Sequence, residues 1–213
     1  MDQGLIVSMD VIVFPYGPLG SNMYAAKSGD HAINIDPSVS PEFPLVRSKL
    51  LNISIDAIIL THAHYDHCAC LDEWVGSTGA KAYLADEDKD YLVDSGLNCS
   101  RGFGEPMKLS SETLDFGESL DVSGFSRMKI IKTPGHTPGS VCILFEDEKV
   151  MFTGDTLFEG SVGRSDLPGG DTRTLLTSLK IFKDMDDDII FYPGHGGSSK
   201  IGIEKKYNPY LSL

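Results

Sequence analysis

No apolar run in this chain approaches the roughly 18 residues of a membrane span, which argues against an integral membrane protein. The start, Met1-Asp2-Gln3-Gly4, lacks a basic segment, and the apolar run after it is broken by Asp10, so no signal peptide is expected. Positive charge is scarce: 18 Lys and Arg face 31 Asp and Glu, a formal net charge of -13. Nucleic acid and anionic membrane surfaces are therefore poor partners, because both are bound through basic contacts to phosphate. Cysteine is sparse as well. Cys68, Cys70, Cys99 and Cys142 form no C-x-x-C motif and read as free, buried or semi-buried thiols of a reducing compartment. A soluble cytoplasmic protein is the expectation. No linker and no low-complexity tract interrupts the 213 residues, so one domain over 1–213 is expected, with a core that needs no staples.

What the chain does have is histidine in one place. Three of its six histidines stand in Thr61-His62-Ala63-His64-Tyr65-Asp66-His67. The preceding Asp56-Ala57-Ile58-Ile59-Leu60 reads as a buried strand, and Cys68, Leu71 and Val75 after it have helical spacing. The motif thus lies on a strand-to-helix loop, a usual place to display functional groups. Extended backbone points His62 and His64 the same way, and the turn into the helix brings Asp66 and His67 to a second focus. One loop can then serve two adjacent metal ions. Imidazole with carboxylate suits zinc foremost, and also iron or manganese.

Elsewhere the pattern predicts strands at 5–14, 80–85, 119–122 and 128–133, a hairpin around Ser28-Gly29-Asp30, and another joining 141–145 to 150–153. A last strand is expected at 189–192. Helices are expected at 43–51, 86–93, after the N-cap Asp171 with Leu175, Leu176, Leu179 and Phe182 on one face, and at 203–211. Residues 95–112 and 157–170 read as long loops, the first without evident chemistry. Two β-rich halves with helices outside fit this order.

Three more metal-type residues stand where a strand runs into a glycine turn: His136 in Pro134-Gly135-His136-Thr137-Pro138-Gly139, Asp155 after Thr153-Gly154, and His195 after Pro193-Gly194. His31, alone in its hairpin, reads as a non-ligand. The seven others divide into His62, His64 and His136 for one ion and Asp66, His67 and His195 for the other, with Asp155 bridging. The carboxylates Asp66 and Asp155 are the candidate catalytic residues. Paired ions lower the pKa of a shared water and clamp developing oxyanions, so the expected chemistry is attack of a metal-bridging hydroxide on an electrophilic carbonyl.

In order along the chain, T-H-x-H-x-D-H at 61–67, P-G-H-T-P-G-S at 134–140, F-T-G-D-T-L-F at 152–158 and Y-P-G-H-G at 192–196 resemble the metallo-β-lactamase superfamily. The resemblance implies an α/β (α+β) fold, a four-layer αββα sandwich with its metals at one edge. Within the superfamily the chain looks most like short single-domain relatives of glyoxalase II, on Gly163-Arg164-Ser165-Asp166-Leu167-Pro168-Gly169-Gly170-Asp171 and the ending Asn208-Pro209-Tyr210-Leu211. That likeness implies hydrolysis of 2-hydroxyacyl thioesters such as lactoylglutathione, a small-molecule acyl-thioester partner and two divalent metal ions per chain. Persulfide dioxygenase (a mononuclear iron oxidoreductase) and lactonase activities occur on the same scaffold and stay open. Asp155 stands where zinc β-lactamases of the commonest class carry a cysteine, which disfavours antibiotic hydrolysis. Only 18 residues follow His195, so no counterpart is expected of the helical segment that contacts glutathione in full-length glyoxalase II. Arg164, Lys200 and Tyr207, with Arg173, Lys205 and Lys206, are the candidate substrate contacts.

Overall fold

The computed structural model describes residues 9–103 and 105–211. Residues 5–8 of the first expected strand lie outside them. β1 (Asp10–Phe14), β2 (Met23–Ser28), β3 (His31–Ile35), β4 (Ser54–Ile59), β5 (Lys81–Tyr83) and β6 (Thr113–Leu114) form one sheet in that order. A second sheet comprises β7 (Ser119–Leu120), β8 (Met128–Lys132), β9 (Val141–Phe145), β10 (Val150–Gly154), β13 (Ile190–Pro193) and β14 (Ser199–Lys200), in the order β14-β13-β10-β9-β8-β7. Between β10 and β13, the short hairpin of β11 (Leu157–Phe158) and β12 (Ser161–Val162) replaces part of the expected 157–170 loop.

The central strands are buried on both faces, so β9 and β10 read as continuous apolar runs without alternation. The pleat then sorts alternate residues into two cores. Ile33, Ile35, Ala57 and Ile59 face Met128, Ile130, Ile143, Phe145 and Phe152 between the sheets. The intervening Ala32 and Ile58 pack outward under α1 (Pro44–Lys49) and α3 (Leu71–Thr78), against Val46, Leu71 and Trp74. On the far side, Cys142, Leu144, Met151 and Phe191 pack under α5 (Thr172–Ser178), the 3-10 turn that follows it and α6 (Ile201–Tyr207), against Leu179, Phe182 and Ile201. Helix, sheet, sheet, helix is the resulting layering. Of the face expected on α5, Leu176 is the exception: it points to solvent while Leu175, Leu179 and Phe182 are buried.

Strand direction places the site. β3, β4 and β5 are parallel, and β10 is parallel to β13 and, through antiparallel β9, to β8. The segments leaving β3, β4, β8, β10 and β13 carry Asp36, the histidine loop, His136, Asp155 and His195, and they emerge at one edge of the sandwich. His31 begins β3 at the opposite end, exposed, with Nδ1 2.7 Å from Asp56 Oδ2. The four thiols are unpaired.

Candidate metal centre

The histidine loop leaves β4 extended and turns into α2 (Tyr65–Cys68), with His64 still in extended backbone as the residue before the helix. That change of backbone separates two groups of donors. His62, His64 and His136 offer ligand atoms within 4.8 Å of one another, and so do Asp66, His67 and His195. His64 Nδ1 lies 2.8 Å from His136 Nε2, and Asp66 Oδ2 lies 3.2 Å from His195 Nε2. Asp155 sits between the groups: Oδ2 is 3.4 Å from His136 Nε2 and 3.7 Å from His195 Nε2, and Oδ1 is 3.4 Å from His67 Nε2. Gly194 makes this approach possible, since a Cβ there would lie 2.1 Å from Asp155 Oδ1 and 2.6 Å from His67 Cε1.

Hydrogen bonds set which ring nitrogen faces inward. Arg164 O, 2.7 Å away, accepts from His136 Nδ1 and leaves Nε2 bare. Asp36 Oδ2 accepts from His67 Nδ1 at 3.0 Å and so turns Nε2 inward. Thr61 Oγ1 donates to Asp36 at 2.8 Å and so accepts from His62 Nδ1 at 3.1 Å. The inward His62 Nε2 and Asp155 Oδ1 are buried with no hydrogen-bond partner. Buried polar atoms are rarely left so, and a cation would satisfy them. The charges agree. Burial, and then the other imidazoles, hold His62 well below its ordinary value and His64 down to about 3, so their lone pairs are free. Burial also pushes His67 down, but Asp155, Asp66 and Asp36 outweigh it and hold the ring up to about 10, which is a demand for positive charge at that spot. Burial raises Asp66, and His67 and His195 outweigh it, down to about 2. The donor set therefore fits divalent cations.

Two carboxylates that the motif reading passed over complete the frame. Asp36 could join His62 and His67 as a third donor group, but its oxygens are already committed to Thr61 N, Thr61 Oγ1 and His67 Nδ1, so it orients rather than ligates. Its signal was present: it ends an apolar strand as Asp155 does, though without a glycine beside it. Asp88 is fully buried in the 3-10 turn at Asp86–Leu92, and accepts from Ala63 N, Thr137 Oγ1 and Gly139 N at 3.2, 2.7 and 2.7 Å. It bolts the histidine loop to the loop of His136. No sequence pattern marks it.

The metal edge opens into a cleft lined by Leu19, Tyr65, Cys99, Phe103, Arg164 and Leu167. The 95–112 segment, read from sequence as featureless, folds around buried Asn98 and α4 (Ser100–Phe103) and so delivers Cys99 and Phe103 to this mouth. Of the candidate substrate contacts, only Arg164 is here. Lys200 pairs in register with Ile190, at the start of β13 and the far end from His195, and its Nζ is 3.7 Å from Asp188. Tyr207 is 69% exposed on α6, beneath Lys206 Nζ, and does not line the cleft.

Comparison with known proteins agrees with this geometry. Residues 16–195 match the family model of the metallo-beta-lactamase superfamily. The chain is 35% identical to the hydroxyacylglutathione hydrolase GloC of Haemophilus influenzae, over 85% of this chain and 88% of that protein. Among solved structures, the BLEG-1 B3 metallo-beta-lactamase superposes with a TM-score of 0.88 at 34% identity, covering 96% of this chain and all of that one. TTHA1623, crystallised in a di-iron-bound form, gives 0.81 at 32%, covering 94% and 100%. With two sheets under outer helices, a histidine-rich metal edge and a family match across most of its length, the chain belongs to the metallo-β-lactamase superfamily.

Proposed function

We propose that this chain is a binuclear metal-dependent thioesterase that hydrolyses 2-hydroxyacyl thioesters such as S-lactoylglutathione. The observation that carries the reading is Asp155, whose Oδ2 stands 3.4 Å from a histidine of one donor group and 3.7 Å from a histidine of the other. His62, His64 and His136 would hold one ion, Asp66, His67 and His195 the second, with an Asp155 carboxylate shared between them. Zinc is the first choice for the donor set, and the di-iron form of a relative makes iron the alternative to test. Such an ion pair, when bound, lowers the pKa of a shared water and withdraws charge from an acyl oxygen.

The protein's own part is positioning. Arg164 O and Asp36 fix the rings of His136 and His67, and Asp88 fixes the spacing of two loops. In the reaction the water oxygen bonds to the acyl carbon, the carbon–sulfur bond breaks, and the departing thiolate takes up a proton. The GloC relative supports a thioester, and the free thiols fit a cytoplasmic setting. The superposition on BLEG-1 favours a second reading, β-lactam hydrolysis, which the same attack on a strained amide would perform. The deciding experiment loads the protein, measures metal per chain, and compares kcat/KM on lactoyl thioesters, lactones, a persulfide and a cephalosporin. Thioester turnover above all others is expected. Cephalosporin turnover that exceeds it would move the assignment to the second reading.

A further inference from the structure

The cleft has a character that the metals do not explain. Leu19 is 59% exposed and Phe103 51% exposed at its mouth, so two large apolar side chains face solvent at one cleft. Phe103 stacks on Tyr65 with ring centroids 6.2 Å apart and planes 14° from parallel, and Leu167 continues the apolar rim. The backbone is strained to hold this arrangement: Leu19 and Cys99, at φ 56° and 68°, are left-handed non-glycine residues, and both line the cleft. Apart from the donor carboxylates Asp66 and Asp155 and the histidines at its floor, the lining carries little charge. Arg164 is the one Lys or Arg among the described lining residues, and its guanidinium is already in a bidentate pair with Asp166, at 2.7 and 2.8 Å. Beyond the rim lies a chain of net charge -13.

A glutathione thioester carries two carboxylates and one ammonium group, and this mouth offers its carboxylates a single cation that is already neutralised. We infer that the rim formed by Leu19, Tyr65, Phe103 and Leu167 is the subsite for the thiol half of the substrate, and that it selects an uncharged, apolar thiol over glutathione. The inference rests on the thioesterase reading and names its substrate class. The Arg164–Asp166 pair closes the rim as a neutral, rigid edge.

The test uses the metal-loaded protein, with both ions verified, on three thioesters sharing the lactoyl group: those of glutathione, of glutathione diethyl ester and of benzyl mercaptan. Benzyl should lead glutathione by about tenfold in kcat/KM, the scale of one desolvated aromatic contact, with most of the difference in KM. The diethyl ester should fall between them, which separates charge from size. Phe103→Ala should shrink the benzyl preference by about threefold to tenfold through KM. Asp166→Ala, which frees Arg164, should raise glutathione thioester turnover roughly twofold to fivefold. If glutathione leads and its diethyl ester lags, the inference is overturned while the thioesterase reading stands. If none of the three is cleaved by fully loaded protein, both fall together.

Discussion

The two halves of the metal edge are built differently. His62, His64 and His136 are 1%, 3% and 2% exposed, and their loops are bolted together by Asp88. The second half includes a carboxylate, and its His195 side chain is 28% exposed. His195 is tied down through backbone instead: it bridges Ser21, and Asn22 Nδ2 donates to Pro193 O and Gly196 O at 3.0 Å each. One half therefore offers three dry lone pairs in fixed geometry. The other offers negative charge at an open mouth. The first should hold its ion by geometry and give it up slowly. The second should bind by charge and exchange with solvent.

The largest expected effect comes from breaking the second half alone. On the binuclear reading, in which a pair of ions would activate the water, Asp66→Ala should reduce metal from two ions to one per chain and lower kcat/KM by about a thousandfold. Metal analysis of the same sample that is assayed makes the reading unambiguous. Full activity from a one-metal protein would end the binuclear assignment.

Smaller effects should sort the orienting carboxylates by half. Asp36→Asn weakens the bond that holds His67 and should cost the second ion roughly 10–100-fold in affinity, with a smaller loss at the first ion, which feels Asp36 only through Thr61 and His62. Asp88→Ala should do the reverse, weakening the first ion by a similar factor. It also leaves buried donors at Ala63 and Gly139 without an acceptor, so stability should fall by about 3 kcal/mol. Competition with a chelator, read separately for each ion, measures both. If either variant releases the two ions together, the halves are one cooperative unit and the contrast between them is lost.

How much of this was legible from sequence follows the physics of each part. Two β-rich halves with helices outside were, because short apolar runs such as Val141–Phe145 and Val150–Gly154, bounded by turns, read as strands and helices must cover the outer faces, while the four-layer sandwich itself came from the family resemblance. Of the seven candidate donors, His136, Asp155 and His195 were marked by glycine turns after strands, and His62, His64, Asp66 and His67 by their crowding in one strand-to-helix loop. Asp88 was not, since a carboxylate in an acidic 3-10 turn looks like surface until the separate loops of Ala63 and Gly139 fold over it. Lys200 misled for the converse reason. Its closeness to His195 in sequence says nothing about β14 running back to the far end of the sheet. Cys99 and Phe103 were hidden because their approach depends on the buried amide of Asn98, a tertiary contact with no local pattern.

The smallest effect probes what makes the first half rigid. Besides Asp88, the loop of His136 leans on the start of α5: Asp171 N donates to Gly135 O at 2.9 Å, and a Cβ on Gly135 would come within 2.3 Å of Leu175 N. Asp171 caps that helix by accepting from Thr174 N at 2.7 Å. Asp171→Ala keeps the backbone bond to Gly135 but frays the first turn, so the melting temperature should drop by a few degrees. If Asp88 is the brace, the frayed turn leaves the spacing of His62, His64 and His136 intact, and chelator competition should show both ions bound as before. A tenfold loss of the first ion in this variant would put the brace in the helix instead. The rigid half would then owe its geometry to a surface element, and its contrast with the open half would be one of burial alone.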